Sequence, residues 1–239
     1  MIKDILRKIL ISIMQIRKNK CPQITIDSQT LILAPHPDDE IFGCAGLILQ
    51  LVAQGKPPHI VVMTGGGASH KECCDVASSD VIAARRELTL KAAKELGLSH
   101  DYIHFLDFGD GRIGNRPETE VEKLKNIIAT LKPKTLLVPH NGEGWPDHLA
   151  VRTLGLDLAS ESTSIYEYCV WMWYYRQKNL DWHNASKLKM SKTEHLKKRK
   201  AIANYISAYA PCGNPWVGVL PKLFIKANST DTELYFRLR

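Results

Sequence analysis

Short, uninterrupted apolar runs alternate along this chain with longer stretches of helical periodicity. The runs "QTLILAP", "HIVVMT", "YIHFLDF" and "KTLLVP" are too short for buried helices, so they read as strands buried on both faces. Between them, "EIFGCAGLILQLVAQG", "VIAARRELTLKAAKELG" and "ETEVEKLKNIIATLK" repeat apolar residues three and four apart, as amphipathic helices do. Gly55 and Gly97 supply the stops of the first two. After the second strand "GGGASHKECCDVASSD" reads as a loop, and after the fourth "HNGEGWPDHLAVRTLGLDLA" reads as a polar loop running into a further helix. This alternation predicts a single α/β domain, Rossmann-like, with a mostly parallel sheet and helices on both faces.

The remaining segments are less regular. "SIYEYCVWMWYYR" predicts a strand rich in aromatics, "TEHLKKRKAIANYISAY" an amphipathic helix and "DTELYFRLR" a final edge strand. At the amino terminus, Ile2, Ile5, Leu6, Ile9, Leu10, Ile13 and Met14 fall at helical spacing among Lys3, Arg7, Lys8, Arg17 and Lys18. The apolar run at 9–14 is interrupted by Ser12 and is too short to span a bilayer. It lacks a small-residue cleavage site, so a secretory signal is not expected. Two readings stand: a helix packed against the sheet, or a basic amphipathic helix resting on an anionic membrane. The chain accordingly divides into an amphipathic helix at 1–22 and the α/β domain at 23–239.

Composition narrows the function classes. The 239 residues are 44% hydrophobic and 24% charged, ordinary for a globular protein, with no internal repeat. The net charge of +7 is concentrated at the amino terminus and in "KLKMSKTEHLKKRK" at 187–200. No nucleic-acid-binding signature accompanies it and aromatics are not interleaved with the charges, so the basic run reads as a solvated helix face. The six cysteines, at 21, 44, 73, 74, 169 and 212, form no CxxC pair. They read as independent reduced thiols, which points to the cytoplasm, with membrane-surface association as the second reading of the first helix. No strand leads into GxGxxG or a P-loop, which disfavours a nucleotide-binding enzyme.

All four predicted strands end in polar groups: "HPDDE", "GGGASH", "DFGDGR" and "HNGEGWPDH". Parallel α/β sheets place their sites at these carboxyl ends. Three adjacent carboxylates at 38–40 repel one another unless a cation or donors compensate. His36 and Asp39 lie close enough to bind one cation, and imidazole with carboxylate suits zinc. His148, where a helix starts after the fourth strand, is the best-placed third ligand. Three protein ligands leave a position for water, as in catalytic zinc sites. Asp38, beside the metal, is then the group to take a proton from that water and return it to a leaving amine. Glu40 is expected to cap the following helix. Either fragment alone reads equally well as an acidic cap or a loop histidine; both together, in this order, favour the metal site.

"PHPDDE" with the downstream "PDH" resembles the LmbE-like, or PIG-L-type, zinc-dependent N-deacetylases. "VVMTGGGASH", "ARRELTLKAAKELG", "FLDFGDGR" and "ELYF" extend the similarity over most of the chain. The resemblance implies hydrolysis of an N-acetyl group, commonly from an N-acetylglucosamine-type sugar; a lipid-linked substrate enters only if the first helix rests on a membrane. It also implies zinc, one ion per chain, on His36, Asp39 and His148, and Asp38 as general base; the sequence leaves ferrous iron open as the metal. Arg86 and Asp110 or Arg112 carry over as contacts to sugar hydroxyls, with mutual surface pairing as the competing reading. Many family members have a histidine directly before "PDH"; here Trp145 stands there, and indole cannot accept a proton. His140, opening the same loop, is the expected replacement, with Asp147 orienting whichever histidine serves. Ser69 and His70 reach substrate if the glycine loop forms a lip over the pocket. The alternative to a deacetylase is a metal- and sugar-binding protein weakened in catalysis by Trp145.

Overall fold

The computed structural model describes residues 2–71, 75–175 and 180–239; Cys73 and Cys74 lie outside the described residues. The elements run α1 (Ile2–Lys20), β1 (Thr30–Ala34), α2 (Asp39–Ala53), β2 (His59–Thr64), α3 (Ser78–Glu95), β3 (Ile103–Phe108), α4 (Glu118–Leu131), β4 (Thr135–Pro139), α5 (Pro146–Leu158), β5 (Ser164–Tyr168), β6 (Ala185–Lys189), α6 (Lys192–Ile206), α7 (Lys222–Asn228) and β7 (Thr232–Arg237). One sheet takes the order β3-β2-β1-β4-β5-β7-β6. Strands β1 to β5 are parallel, and β7 pairs antiparallel with both β5 and β6. The expected single α/β domain with a mostly parallel sheet is what forms.

Successive strand residues point to opposite faces, so one sheet builds two cores. Ile32, Ala34, Ile60, Val62 and Leu137 pack with residues of α2, α3 and α6 on one face. Leu31, Leu33, Val61, Met63, Leu136 and Val138 pack with α4 and α5 on the other. Beyond α2 and α3, Gly55 (φ +71) and Gly97 (φ +78) take the left-handed conformation that ends a helix. The connections β1–α2 and β4–α5 leave adjacent strands toward opposite faces. The crevice between β1 and β4 is therefore the point where strand order reverses.

The carboxyl-terminal third departs from expectation. The aromatic strand expected at 164–176 stops at Tyr168. Past it, the amides of Val170, Trp171 and Met172 donate to the buried Glu143 carboxylate rather than to a neighbouring strand. The expected edge strand at 231–239 lies inside the sheet as β7, its residues 232–236 all buried. The edge on that side is β6, which overlaps the start of the basic run at 187–200. Lys187 and Lys189 sit on this edge, where lysines discourage pairing with a foreign strand. Nor is Lys198 part of a solvated face. It is 1% exposed, and its Nζ donates to Glu233 Oε1 at 2.7 Å and to Phe42 O at 2.9 Å.

Helix α1 packs beside β6 and β7 through Met14 and Lys18, with Ile11 partly covered, over a small core containing Leu234, Phe236, Ala185 and Trp173. Lys18 Nζ donates to Thr230 Oγ1 and Thr232 O, and burial lowers its pKa to about 7. Cys21, Cys44 and Cys169 are buried as separate thiols. No helix among the described residues is long and apolar enough to cross a membrane.

Candidate active site

The segment after β1 carries His36, Asp38, Asp39 and Glu40 into the first turn of α2, and the segment after β4 delivers Asp147 and His148 at the start of α5. Pro146 at the first helical position, its φ already suited to a helix, fixes where that turn begins. His36 Nδ1 and His148 Nε2 both face Asp39 Oδ2, each at 3.4 Å, and the two rings are 5.4 Å apart. One donor atom from each of the three residues lies within 4.8 Å of the others. Two ligands held about 2.0–2.1 Å from a tetrahedral zinc ion are themselves about 3.3 Å apart, so these separations fit that ion. Asp39 and His148 are each 1% exposed, and His148 Nδ1 is a buried atom with no hydrogen bond. It lies 3.3 Å from Glu143 Oε2, so a small tilt of the imidazole would let it donate there.

His36 uses its other nitrogen differently. Its Nε2 is 3.3 Å from both Asp110 Oδ1 and Asp147 Oδ2. Those carboxylates are also backbone anchors: Asp110 accepts from Ala68 N, and Asp147 accepts from Gly111 N and Ile113 N. Asp147 thus holds the segment after β3 against the start of α5 while bearing on His36 rather than on His140. Burial works against a charged His36, but the carboxylates of Asp110, Asp147 and Asp39 outweigh it and raise its pKa well above the usual value. His36, Asp110 and Asp147 form a second group of three donors within 4.8 Å, sharing His36 with the first.

Asp38 sits at φ 122, a conformation that costs a non-glycine residue on the order of 1–3 kcal/mol. The surroundings hold it there. Its N–H donates to Glu40 Oε2 at 3.1 Å, its carbonyl accepts from Ile41 N and Phe42 N, and its Oδ2 accepts from Arg85 Nη2 at 3.1 Å. No hydrogen bond engages Asp38 Oδ1 among the described residues. Burial raises the Asp38 carboxyl to about 7, Arg85 opposing and Asp39 reinforcing the shift. Glu40 meets the helix start by accepting from Asp38 N–H rather than as a charged cap: it is 3% exposed, and burial and Asp38 push its carboxyl to about 8.

Arg85, missed by the sequence reading, takes the place assigned to Arg86. Its guanidinium also donates to Gly66 O and Pro37 O. A side chain on Gly66 (φ +66) would meet Arg85 Nη1 at 2.0 Å, so glycine is required there for the arginine to pass. Arg86 instead pairs with the exposed Asp107 at 2.6 Å, and the exposed Arg112 does not line the cavity. Tyr205 OH donates to Pro37 O, completing the support of this turn.

A cavity of about 440 Å³ opens over these groups, with Ser69, Trp145, Trp171, Val217 and Leu220 in its wall. Ser69 Oγ is bonded to Gly66 O and Trp216 O. His70 is not in the wall: its Nε2 bonds Pro215 O and its Nδ1 lies 3.6 Å from Cys212 Sγ, joining the loop to the segment at 210–216. Nor does His140 reach the cavity. Its N–H extends β4 pairing to Tyr168 O, its Nδ1 accepts from Gly142 N, and its ring packs on Phe236 at 4.6 Å. Burial, with Arg152 nearby, lowers its pKa to about 4. The expected exchange of roles between His140 and Trp145 therefore does not occur. Trp145 stacks edge-on with Trp171 at 5.6 Å and forms the apolar rim. Glu143 and Trp171 were invisible from spacing alone; the only cue was the loop's content of one further carboxylate.

The fold and these groups define an α/β protein with a candidate mononuclear metal site at the switch point of its sheet. Residues 31–159, more than half of the chain, match the family PIG-L: GlcNAc-PI de-N-acetylase, and the chain belongs to that family. It is 30% identical over 142 residues to the 2'-N-acetylparomamine deacetylase of Streptomyces fradiae, a match covering 52% of this chain. The chain spans about half the length of that relative, 49%. Among solved structures, N,N'-diacetylchitobiose deacetylase from Pyrococcus horikoshii, complexed with an inhibitor, is similar at a TM-score of 0.59 and 22% identity, over 77% of this chain and 72% of that one. The zinc-inhibited form of teicoplanin deacetylase is similar at a TM-score of 0.65 and 12% identity, over 87% and 97%. At these identities the two structures share the fold with this chain.

Proposed function

We propose that this protein is a metal-dependent hydrolase that removes the N-acetyl group from an N-acetylglucosamine-type sugar or glycoconjugate. The observation that carries the reading is the convergence of His36 Nδ1, Asp39 Oδ2 and His148 Nε2, with Asp38 beside them at the cavity floor. His36, Asp39 and His148 would hold the ion. A zinc ion held there would polarise the acetyl carbonyl and lower the pKa of water at that point. Asp110 and Asp147 orient His36, and Glu143 backs His148. Asp38, steadied at Oδ2 by Arg85, takes a proton from the attacking water at Oδ1 and delivers it to the departing amine. Trp145, Trp171, Val217 and Leu220 offer apolar surface to the sugar, with few polar groups to fix its orientation.

Acetate release from a panel of N-acetylhexosamine conjugates tests the reading. Asp38→Ala is expected to lower turnover about 10²–10⁴-fold while the metal stays bound. Equal turnover by the variant would remove Asp38 from its role. Glu143→Gln, which keeps the shape but weakens the support of His148, is expected to loosen the metal about 10–100-fold in competition with a chelator. A second reading is favoured by the absence of His140 from the cavity wall and the presence of Trp145: a metal- and sugar-binding protein with little turnover. Full metal occupancy with no acetate release across the panel would select it.

A further inference from the structure

Helix α1 (Ile2–Lys20) is held to the body by one face only. Met14 and Lys18 are buried, and Ile11, Gln15 and Arg7 are partly covered. Gln15 Nε2 donates to Ala227 O, and Arg7 donates to Tyr174 O with its guanidinium 3.8 Å above the Tyr174 ring. The opposite face is apolar. Ile5, Leu6, Ile9, Leu10, Ile13 and Ile16 are each 37–58% exposed, although the docked helix had an apolar side available for the interior. At 1.5 Å per residue they form a ridge about 17 Å long. Scattered surface aliphatics need no explanation, but a contiguous ridge marks an interaction surface.

The charges around the ridge choose its occupant. Lys8, Arg17 and Lys20 are exposed along α1, where Asp4 is the single acidic residue. Toward α7, a cleft of about 520 Å³ is lined by Lys8, Lys222 and Lys226 with Asp4 and Tyr174. Two such helices brought together would set their basic flanks against each other, which opposes self-association through this face. An anionic lipid surface satisfies both features, taking the aliphatic ridge into the acyl boundary and the lysines at the headgroups. The helix is too polar to span a bilayer, which fits a helix lying in the surface. We propose that α1 docks the protein on an anionic membrane surface through Ile5, Leu6, Ile9, Ile13 and Ile16, flanked by Lys8, Arg17 and Lys20.

The same helix adjoins the site: Tyr174, which Arg7 covers, packs edge-on at 5.9 Å against Trp171 of the cavity wall. Arg7 lies on the body-facing side of α1, so docking through the ridge would set the helix between the cavity's aromatic wall and the lipid. The surface proposal does not depend on the deacetylase reading, because binding is measured without turnover.

The test is co-sedimentation of the full chain with vesicles of phosphatidylcholine alone or with about one-third phosphatidylglycerol. The protein is expected to pellet with the anionic vesicles, to bind them at least about tenfold better than the neutral ones, and to release as salt rises to about 1 M. Ile9→Glu with Ile13→Glu changes exposed positions only, and should reduce vesicle binding at least about tenfold with the thermal midpoint unchanged. Lys8→Glu with Lys20→Glu should reduce binding to anionic vesicles alone. Failure of the unaltered protein to pellet overturns the proposal, as does equal pelleting by the Ile9→Glu, Ile13→Glu variant. Sedimentation equilibrium showing a dimer that this double variant dissociates, without vesicle binding, assigns the ridge to a second copy and also overturns it.

Discussion

His148→Ala should bind zinc at least about a hundredfold more weakly than the unaltered protein and release no measurable acetate. Removing His148 leaves His36 and Asp39, a pair with no third partner from α5. It also leaves Asp39 facing one imidazole instead of two, so its carboxylate is less well compensated in a site where it is 1% exposed. The substitution empties a buried ring-sized space, and a stability loss of about 1–3 kcal/mol accompanies it. Metal affinity must therefore be measured by titration on protein shown to be folded by circular dichroism. Asp110→Ala is the matched control, because the second donor group contains Asp110 and omits His148. The ion is expected to remain on Asp110→Ala and to be lost from His148→Ala. The reverse pattern would place the ion on His36, Asp110 and Asp147 and undo the proposed water-activating geometry.

The second large effect is on stability, far from any ligand. Glu233→Ala should cost about 3–5 kcal/mol in urea denaturation and lower the thermal midpoint by on the order of 10 °C. Glu233 accepts from Lys198 Nζ at 2.7 Å, from the amides of Gly46 and Leu47 at 2.8 and 3.1 Å, and from Tyr235 OH at 2.7 Å. Lys198 also donates to the carbonyl of Phe42, and the Tyr235 oxygen lies 3.3 Å from the carbonyl of Gly43; these two carbonyls lie one helical turn before those two amides. The network thus inserts into the backbone ladder of α2 and ties it to α6 and β7. A side chain on Gly46 would meet Met190 Sδ at 2.8 Å and Glu233 Oε2 at 3.0 Å, so glycine lets both side chains approach the helix. Removing the carboxylate strands a buried ammonium and two buried amides together. Lys189→Ala, which breaks the exposed Lys189–Asp231 pair, should cost under about 1 kcal/mol. If the two substitutions cost the same, burial is not what gives the Glu233 network its weight.

Local patterning is enough to place the strands and helices as far as α5 and to set His36, Asp38, Asp39 and His148 at strand ends. Both are short-range properties: period and length set an element, and a motif of adjacent residues leaves its turn together. Tertiary structure alone decided which neighbour faces inward. Arg85 and Arg86 differ by one step of about 100° around α3, and only the sheet beneath says which of them reaches Asp38. His140 looked placed for chemistry, yet its amide continues the β4–β5 pairing and its ring turns onto Phe236 of β7, far along the chain. Likewise β7 became interior and β6 the edge because pairing order is set by contacts across the whole fold. The approach of Glu143 to His148, the aromatic wall at Trp171 and the outward ridge of α1 share that cause. Periodicity identifies that a helix has an apolar face, but only packing decides whether that face is covered.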